Sequence, residues 1–160
     1  MPHDAAPATP SARAHDEPPA RAADLGIVDA LAQLSFLVQN ALGKVAAELG
    51  LSVIQLRLLG VLRDREPGMR ELARHLELDK SSITGLVDRA ERRGLVRRAP
   101  APHDGRAVQV SLTDEGRAAA RALEADADRR IRALAAGLTD EQRAALSLLA
   151  SAVVSGDSAL

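Results

Sequence analysis

The sequence predicts a mainly α-helical fold with one small β-hairpin, and three observations carry that expectation. Apolar residues recur every three or four positions through most of the chain from Leu25 onward. After Gly94 that period breaks, and Val108, Val110 and Leu112 alternate with a period of two instead. Ser52, Asp79, Thr113 and Thr139 each stand where a helix has to start, with side chains suited to capping free N–H groups.

The chain has 160 residues, 46% of them hydrophobic, enough to fill the core of one domain. Leu, Val and Ala must do the packing, because Phe36 is the sole Phe, Tyr or Trp, and Phe36 is itself expected in that core. Without Cys there are no disulfides, thiolate nucleophiles or cysteine zinc sites. No apolar run approaches the ~20 residues that span a bilayer, and Asp4, Asp16 and Glu17 interrupt any leader, so a cytoplasmic protein with no membrane partner is expected.

Residues 1–24 hold five of the eight prolines and no Ile, Leu, Val or Phe, so burial cannot offset their ordering entropy and a disordered Pro/Ala-rich tail is expected. One domain is then expected over 25–156, with a short tail at 157–160. Its first helix, about 25–49, carries Ile27, Val28, Leu31, Leu34, Val38, Leu42, Val45 and Leu49 as a broad stripe and should be at least half buried. Ser52 with Gln55 forms a capping box for a second helix that Pro67 and Gly68 close. Leu72, Ala73 and Leu76 give a short third helix, and a tight turn leads into a fourth from Asp79. A strand from Val96 and another through Val108, Val110 and Leu112 flank a Pro-rich, charged tip. Thr113 caps a fifth helix whose apolar face runs through Ala120, Leu123, Ala127, Ile131, Leu134 and Leu138, and Thr139 with Gln142 opens a sixth through Leu146, Leu149 and Val153.

The fourth helix bears the functional signal. Ile83, Leu86, Val87 and Ala90 share one side, while Ser82, Gly85, Arg89 and Arg92 line the other. A helix of this length, ~21 Å, fits along a major groove ~12 Å wide. Lys80, Ser81, Ser82 and Thr84 offer short polar groups at its start, Gly85 allows close backbone approach, and Arg89, Arg92 and Arg93 add charge for phosphates or guanine. An Arg- and Ser-bearing helix face is usually only solvated surface. Here the charge is concentrated: residues 89–106 carry six Arg against Glu91 and Asp104, a local balance of +4 in a chain whose total is -1. A localised basic stripe on a helix-turn-helix followed by a hairpin suits a sequence-selective duplex binder.

Three segments in order, LSVIQLRLLGVL, LARHLELDKSSITGLVDRAERRGLVRR and DGRAVQVSLTDEG, resemble the winged helix-turn-helix regulators of the multiple antibiotic resistance (MarR) type. The resemblance covers about Leu25 to Val154 and places the winged helix-turn-helix at about 51–112, between dimerisation helices at about 25–49 and 113–155. It implies a homodimer whose first, fifth and sixth helices interlock, bound to double-stranded DNA at a pseudo-palindromic operator. Arg106 falls on the wing arginine that enters the minor groove, with Asp104 steadying it. Many relatives have an arginine near Gly85, so base contacts here shift to Ser82, Thr84 and Arg89. The resemblance further implies repression relieved by a small-molecule effector, often an aromatic acid, held between the dimer helices and the DNA-binding lobe. The competing reading is a winged-helix protein-interaction adaptor that does not read DNA.

Other chemistry finds little support. His3, His15, His75 and His103 are scattered, and His103 beside the wing reads as a solvated loop residue, so neither metal nor cofactor is expected. No GxSxG, HExxH or GxxxxGK pattern occurs, and the carboxylate pairs Asp114–Glu115 and Asp140–Glu141 stand in helical first turns that explain them without catalysis.

Overall fold

The computed structural model describes residues 24–101 and 104–157, without the side chains of 101, 104–107 and 157. The expected tails therefore lie almost wholly outside the described residues, as do Pro102 and His103 at the hairpin tip. Helix α1 spans Gly26–Glu48, α2 Val53–Asp64, α3 Met69–Leu76 and α4 Lys80–Arg92. Strands β1 (Val96–Ala101) and β2 (Asp104–Leu112) follow, then α5 (Asp114–Leu134) and α6 (Asp140–Asp157).

Local chemistry sets most boundaries. Ser52 and Gln55 form the reciprocal capping box of α2. The C-cap of α3 is Glu77 at φ 54°, a left-handed position rarely taken by residues other than Gly or Asn, and the Leu78 N–H donates back to the Ala73 carbonyl at 2.9 Å to make the tight turn into α4. Gly94, at φ 69°, ends α4, with the Leu95 N–H on the Ala90 carbonyl. The hairpin pairs antiparallel, Val96 opposite Leu112 and Arg98 opposite Val110, and β1 runs on through Pro100 opposite Val108, further into the Pro-rich stretch than a short strand requires. A proline is tolerated there because this strand lies at an edge. Gly68 adds an isolated antiparallel bridge to Gln109 on the far side of β2.

One aliphatic core unites these pieces. Leu58, Leu59 and Leu62 of α2 meet Leu72 and Leu76 of α3, the inner face of α4, Val96, Val110 and Leu112 of the hairpin, and Ala120 and Leu123 of α5. Each large side chain removed from water contributes about 1.5–3 kcal/mol. From α1 only Val45 and Ala46 join this core, with Ala41 buried nearby.

Two expectations about burial are overturned. Helix α1 is not half buried within one chain: only its C-terminal turns pack against α2 and α5, and Ile27 and Val28 are 73% and 76% exposed. Phe36 is 62% exposed rather than in the core, because it lies on the stretch of α1 beyond the body of the domain. Helix α5 also ends at Leu134, four residues before its apolar stripe does. Every described side chain of α6 is exposed, including Leu148, Leu149, Val153 and Val154. Among the described residues no single helix is long and apolar enough to cross a membrane.

Candidate nucleic-acid interface

Helix α4 divides as its sequence periodicity requires. Ile83, Leu86, Val87 and Ala90 are at most 1% exposed, while Lys80, Ser81, Ser82, Thr84, Arg89 and Arg92 are open to solvent and Gly85 is intermediate. The predicted outward face is thus assembled on one rod. An added Cβ at Gly85 would lie 3.3 Å from Arg89 Nη1, so the missing side chain leaves room for the Arg89 guanidinium to lie along the helix. Beside this face, between it and the start of α2, runs a notch of about 280 Å³ with Ile54, Leu78 and Leu86 in its wall and Ser81, Ser82 and Arg89 at its rim.

Asp79 organises the leading turn. Its Oδ1 accepts the Ser81 and Ser82 backbone N–H groups, both at 2.8 Å, which satisfies two free donors of the helix. The two hydroxyls donate to the same carboxylate, Ser81 Oγ to Oδ1 at 2.5 Å and Ser82 Oγ to Oδ2 at 2.6 Å. These bonds, the Ser81 hydroxyl's foremost, hold the Asp79 carboxyl well below the usual carboxylate range. Thr84 Oγ1 donates to the Lys80 carbonyl at 2.7 Å. The protons of these hydroxyls are therefore committed locally, and the oxygens of the exposed side chains are left to accept.

The basic cluster is also more differentiated than its charge count. Arg98 bonds Asp88 at 2.6 Å and Glu91 at 2.5 Å, tying β1 to α4 and neutralising itself. Arg97 donates to Ser111 Oγ at 3.1 Å. Arg93, expected among the phosphate contacts, instead donates to the Gly50 and Leu49 carbonyls at 2.6 and 3.0 Å, capping the end of α1. Arg89 and Arg92 remain as exposed cations of α4. The backbone of Asp104 and Arg106 lies in β2 near the hairpin tip, and their side chains are outside the described residues. Three exposed bases of neighbouring elements, Arg57, Arg70 and Arg74, were not singled out by sequence, since isolated arginines on helices carry no signal of their own.

A second feature also escaped notice. Asp126, 8% exposed, accepts from Arg129 and Arg130, and Arg130 reaches Glu48 to link α5 with the end of α1. Its i,i+4 spacing to Arg130 was legible as a helical ion pair, but its burial was not. Nearby, a cavity of about 280 Å³ between α2 and α5 is walled by Leu56, Leu59, Leu123 and Ala127. The Arg63–Glu124 pair, at 2.5 Å, spans it.

Comparison with known proteins agrees with this architecture. The model of the MarR family matches residues 49–107. The HTH-type transcriptional regulator PecS of Dickeya dadantii (strain 3937) is 33% identical over 94 residues, covering 56% of this chain and 57% of PecS. The chain spans about half the length of the curated relatives it matches. Wild-type MarR from E. coli, in its apo form, superposes with a TM-score of 0.69 at 25% identity, over 82% of this chain and 98% of that one. The transcriptional repressor CouR, solved on a 23-mer DNA duplex, has a TM-score of 0.69 at 24% identity over 80% of this chain and 92% of CouR. Residues 49–107 thus match the MarR family, and the fold of the described chain is that of solved MarR winged helix-turn-helix proteins.

Proposed function

We propose that the protein is a sequence-specific double-stranded DNA-binding regulator, a dimeric repressor released by a small-molecule effector. The observation that carries this reading is the division of α4, with an aliphatic face sealed in the core and the Lys80, Ser81, Ser82, Thr84, Gly85, Arg89 and Arg92 face left open. Its cations position the helix on phosphates, and Arg89 can also grip guanine. The Ser81, Ser82 and Thr84 oxygens, with protons already donated inward, suit acceptance from the amino groups of adenine or cytosine. Arg106, steadied by Asp104, serves the minor groove, whose narrow A-tract form attracts arginine. One recognition helix covers few base pairs, so two copies read half-sites ~34–36 Å apart.

The effector reading is supported by the α2–α5 cavity. Its volume suits a single-ring acid, its walls are aliphatic, and a carboxylate entering it can displace Glu124 from Arg63. A ligand that binds better to a dimer whose reading helices are mis-spaced lowers DNA affinity by its preference for that state.

The test is fluorescence anisotropy on a duplex carrying the gene's own upstream region, at two salt concentrations. Binding that is salt-steep and sequence-selective is expected; no binding at either salt returns the protein to the adaptor reading. Arg106→Ala is expected to weaken operator binding while the dimer stays folded, and unchanged affinity removes the wing from the interface.

A further inference from the structure

If α4 reads DNA from a dimer, its offset from its twofold mate depends on the seam between the copies and on bonds within each chain. The C-terminal end of α4 is where those bonds concentrate. Arg93 directs Nη1 to the Gly50 carbonyl at 2.6 Å and Nη2 to the Leu49 carbonyl at 3.0 Å. Leu49 is the C-cap of α1 and Gly50 the residue after it, so the guanidinium sits just past the negative end of the α1 dipole. Gly50, at φ 61°, makes the turn that presents two successive carbonyls to one guanidinium. The next residues are fastened to α5: its N-cap Thr113 donates through Oγ1 to the Gly94 carbonyl at 2.5 Å and through its N–H to the Leu95 carbonyl at 3.1 Å. Residues 93–95 thus join the reading helix to the last turn of α1 and the first turn of α5.

We infer that Arg93 is a positioning residue for DNA recognition, a clamp that passes the placement of α1 to the reading face of α4. The inference rests on the DNA-binding reading and assigns Arg93 a role opposite to a phosphate contact. Both arms of its guanidinium are engaged by carbonyls, and reaching a phosphate means giving up two charge-assisted bonds. Arg92, one residue earlier, has no such partner among the described residues and is the natural control.

The experiment uses the full chain and a duplex selected from a random library by the wild-type protein, with a scrambled duplex alongside, in anisotropy titrations across a salt series. Arg93→Met is expected to lose roughly tenfold in affinity for the selected duplex, the size typical of mutations that alter coupling between sites. Affinity for the scrambled duplex and the slope of log K against log salt stay as in wild type, and Arg93→Lys recovers part of the loss. Amide exchange in the free protein is expected to quicken at the last turn of α1. Arg92→Met instead weakens both duplexes and lessens the slope by about 1.8, about 0.9 for each copy of the dimer. The inference is overturned if Arg93→Met lessens the slope and weakens both duplexes alike, if affinity for the selected duplex does not change, or if exchange at α1 is unaltered. Should Arg93→Met fail to fold, Arg93→Gln, which keeps one amide donor, takes its place. A wild-type protein that selects no sequence sinks the DNA-binding reading itself, an outcome separate from the behaviour of any Arg93 variant.

Discussion

At the scale of single residues, Asp79 shows how one carboxylate can serve both folding and the face proposed to read DNA. It caps α4 and also fixes the two serine hydroxyls at the front of that face. Asp79→Ala is expected to lower the melting temperature by a few degrees and to loosen Ser81 and Ser82, while Asp79→Asn, a comparable cap, loses less. The pH dependence follows from the direction of the shift. The folded carboxyl is held below its unfolded value, so its stabilisation is complete above about pH 4, the ordinary aspartate range, and fades as pH falls through the lower folded value. Thermal melts of wild type and Asp79→Ala should therefore differ at neutral pH and converge in strong acid; a constant gap contradicts the cap. Asp79 was legible in the sequence because an N-cap bonds residues two and three positions away. Arg93 was not, because the carbonyls it caps lie more than forty residues earlier in the chain.

At the scale of elements, the helix starts were readable and the junctions between elements were not. Ser52 with Gln55, Thr113, and Thr139 with Gln142 all cap as their spacing predicts, since those bonds close within one turn. The contact between α5 and the lead into β1 depends on a residue that sequence alone passes over. A Cβ on Gly116 would stand 1.8 Å from the Leu95 carbonyl oxygen and 2.9 Å from its carbon. Backbone cannot yield there as a flexible side chain would, and the same Leu95 carbonyl accepts from Thr113. Gly116→Ala is expected to cost about 3 kcal/mol or more, as overpacking against fixed backbone does, read as a lower urea midpoint. A neutral outcome means that α5 can shift away from β1. Arg98 works at the neighbouring junction, and Arg98→Ala, which leaves partly exposed Asp88 and Glu91 without their cation, should cost about 1 kcal/mol in the same assay.

At the scale of the whole molecule, the apolar surface left over by one chain is the feature to be explained. Ile27, Val28, Phe36 and Leu37 on α1 stand more than half exposed, as do Leu148, Leu149, Val153 and Val154 on α6. Sequence periodicity placed Ile27, Val28, Leu149 and Val153 in apolar stripes, and for any one of these residues it could not say whether the cover comes from the same chain or another. The winged-helix core is already closed without them. Isolated exposed leucines need no explanation, but two long helices with open aliphatic faces call for a partner, and a second copy is what the proposed twofold operator requires. A charge placed in that seam should divide assembly from folding. Leu149→Glu is expected to sediment as a monomer with an unchanged helical circular dichroism spectrum, because Leu149 is 68% exposed in the single chain and contributes nothing to its core. Affinity for a full operator should then fall at least about a hundredfold, since the second half-site is no longer held at high effective concentration, while affinity for a lone half-site is kept. If Leu149→Glu remains a dimer that binds the operator as wild type does, the seam lies elsewhere and the exposed face of α6 has another use.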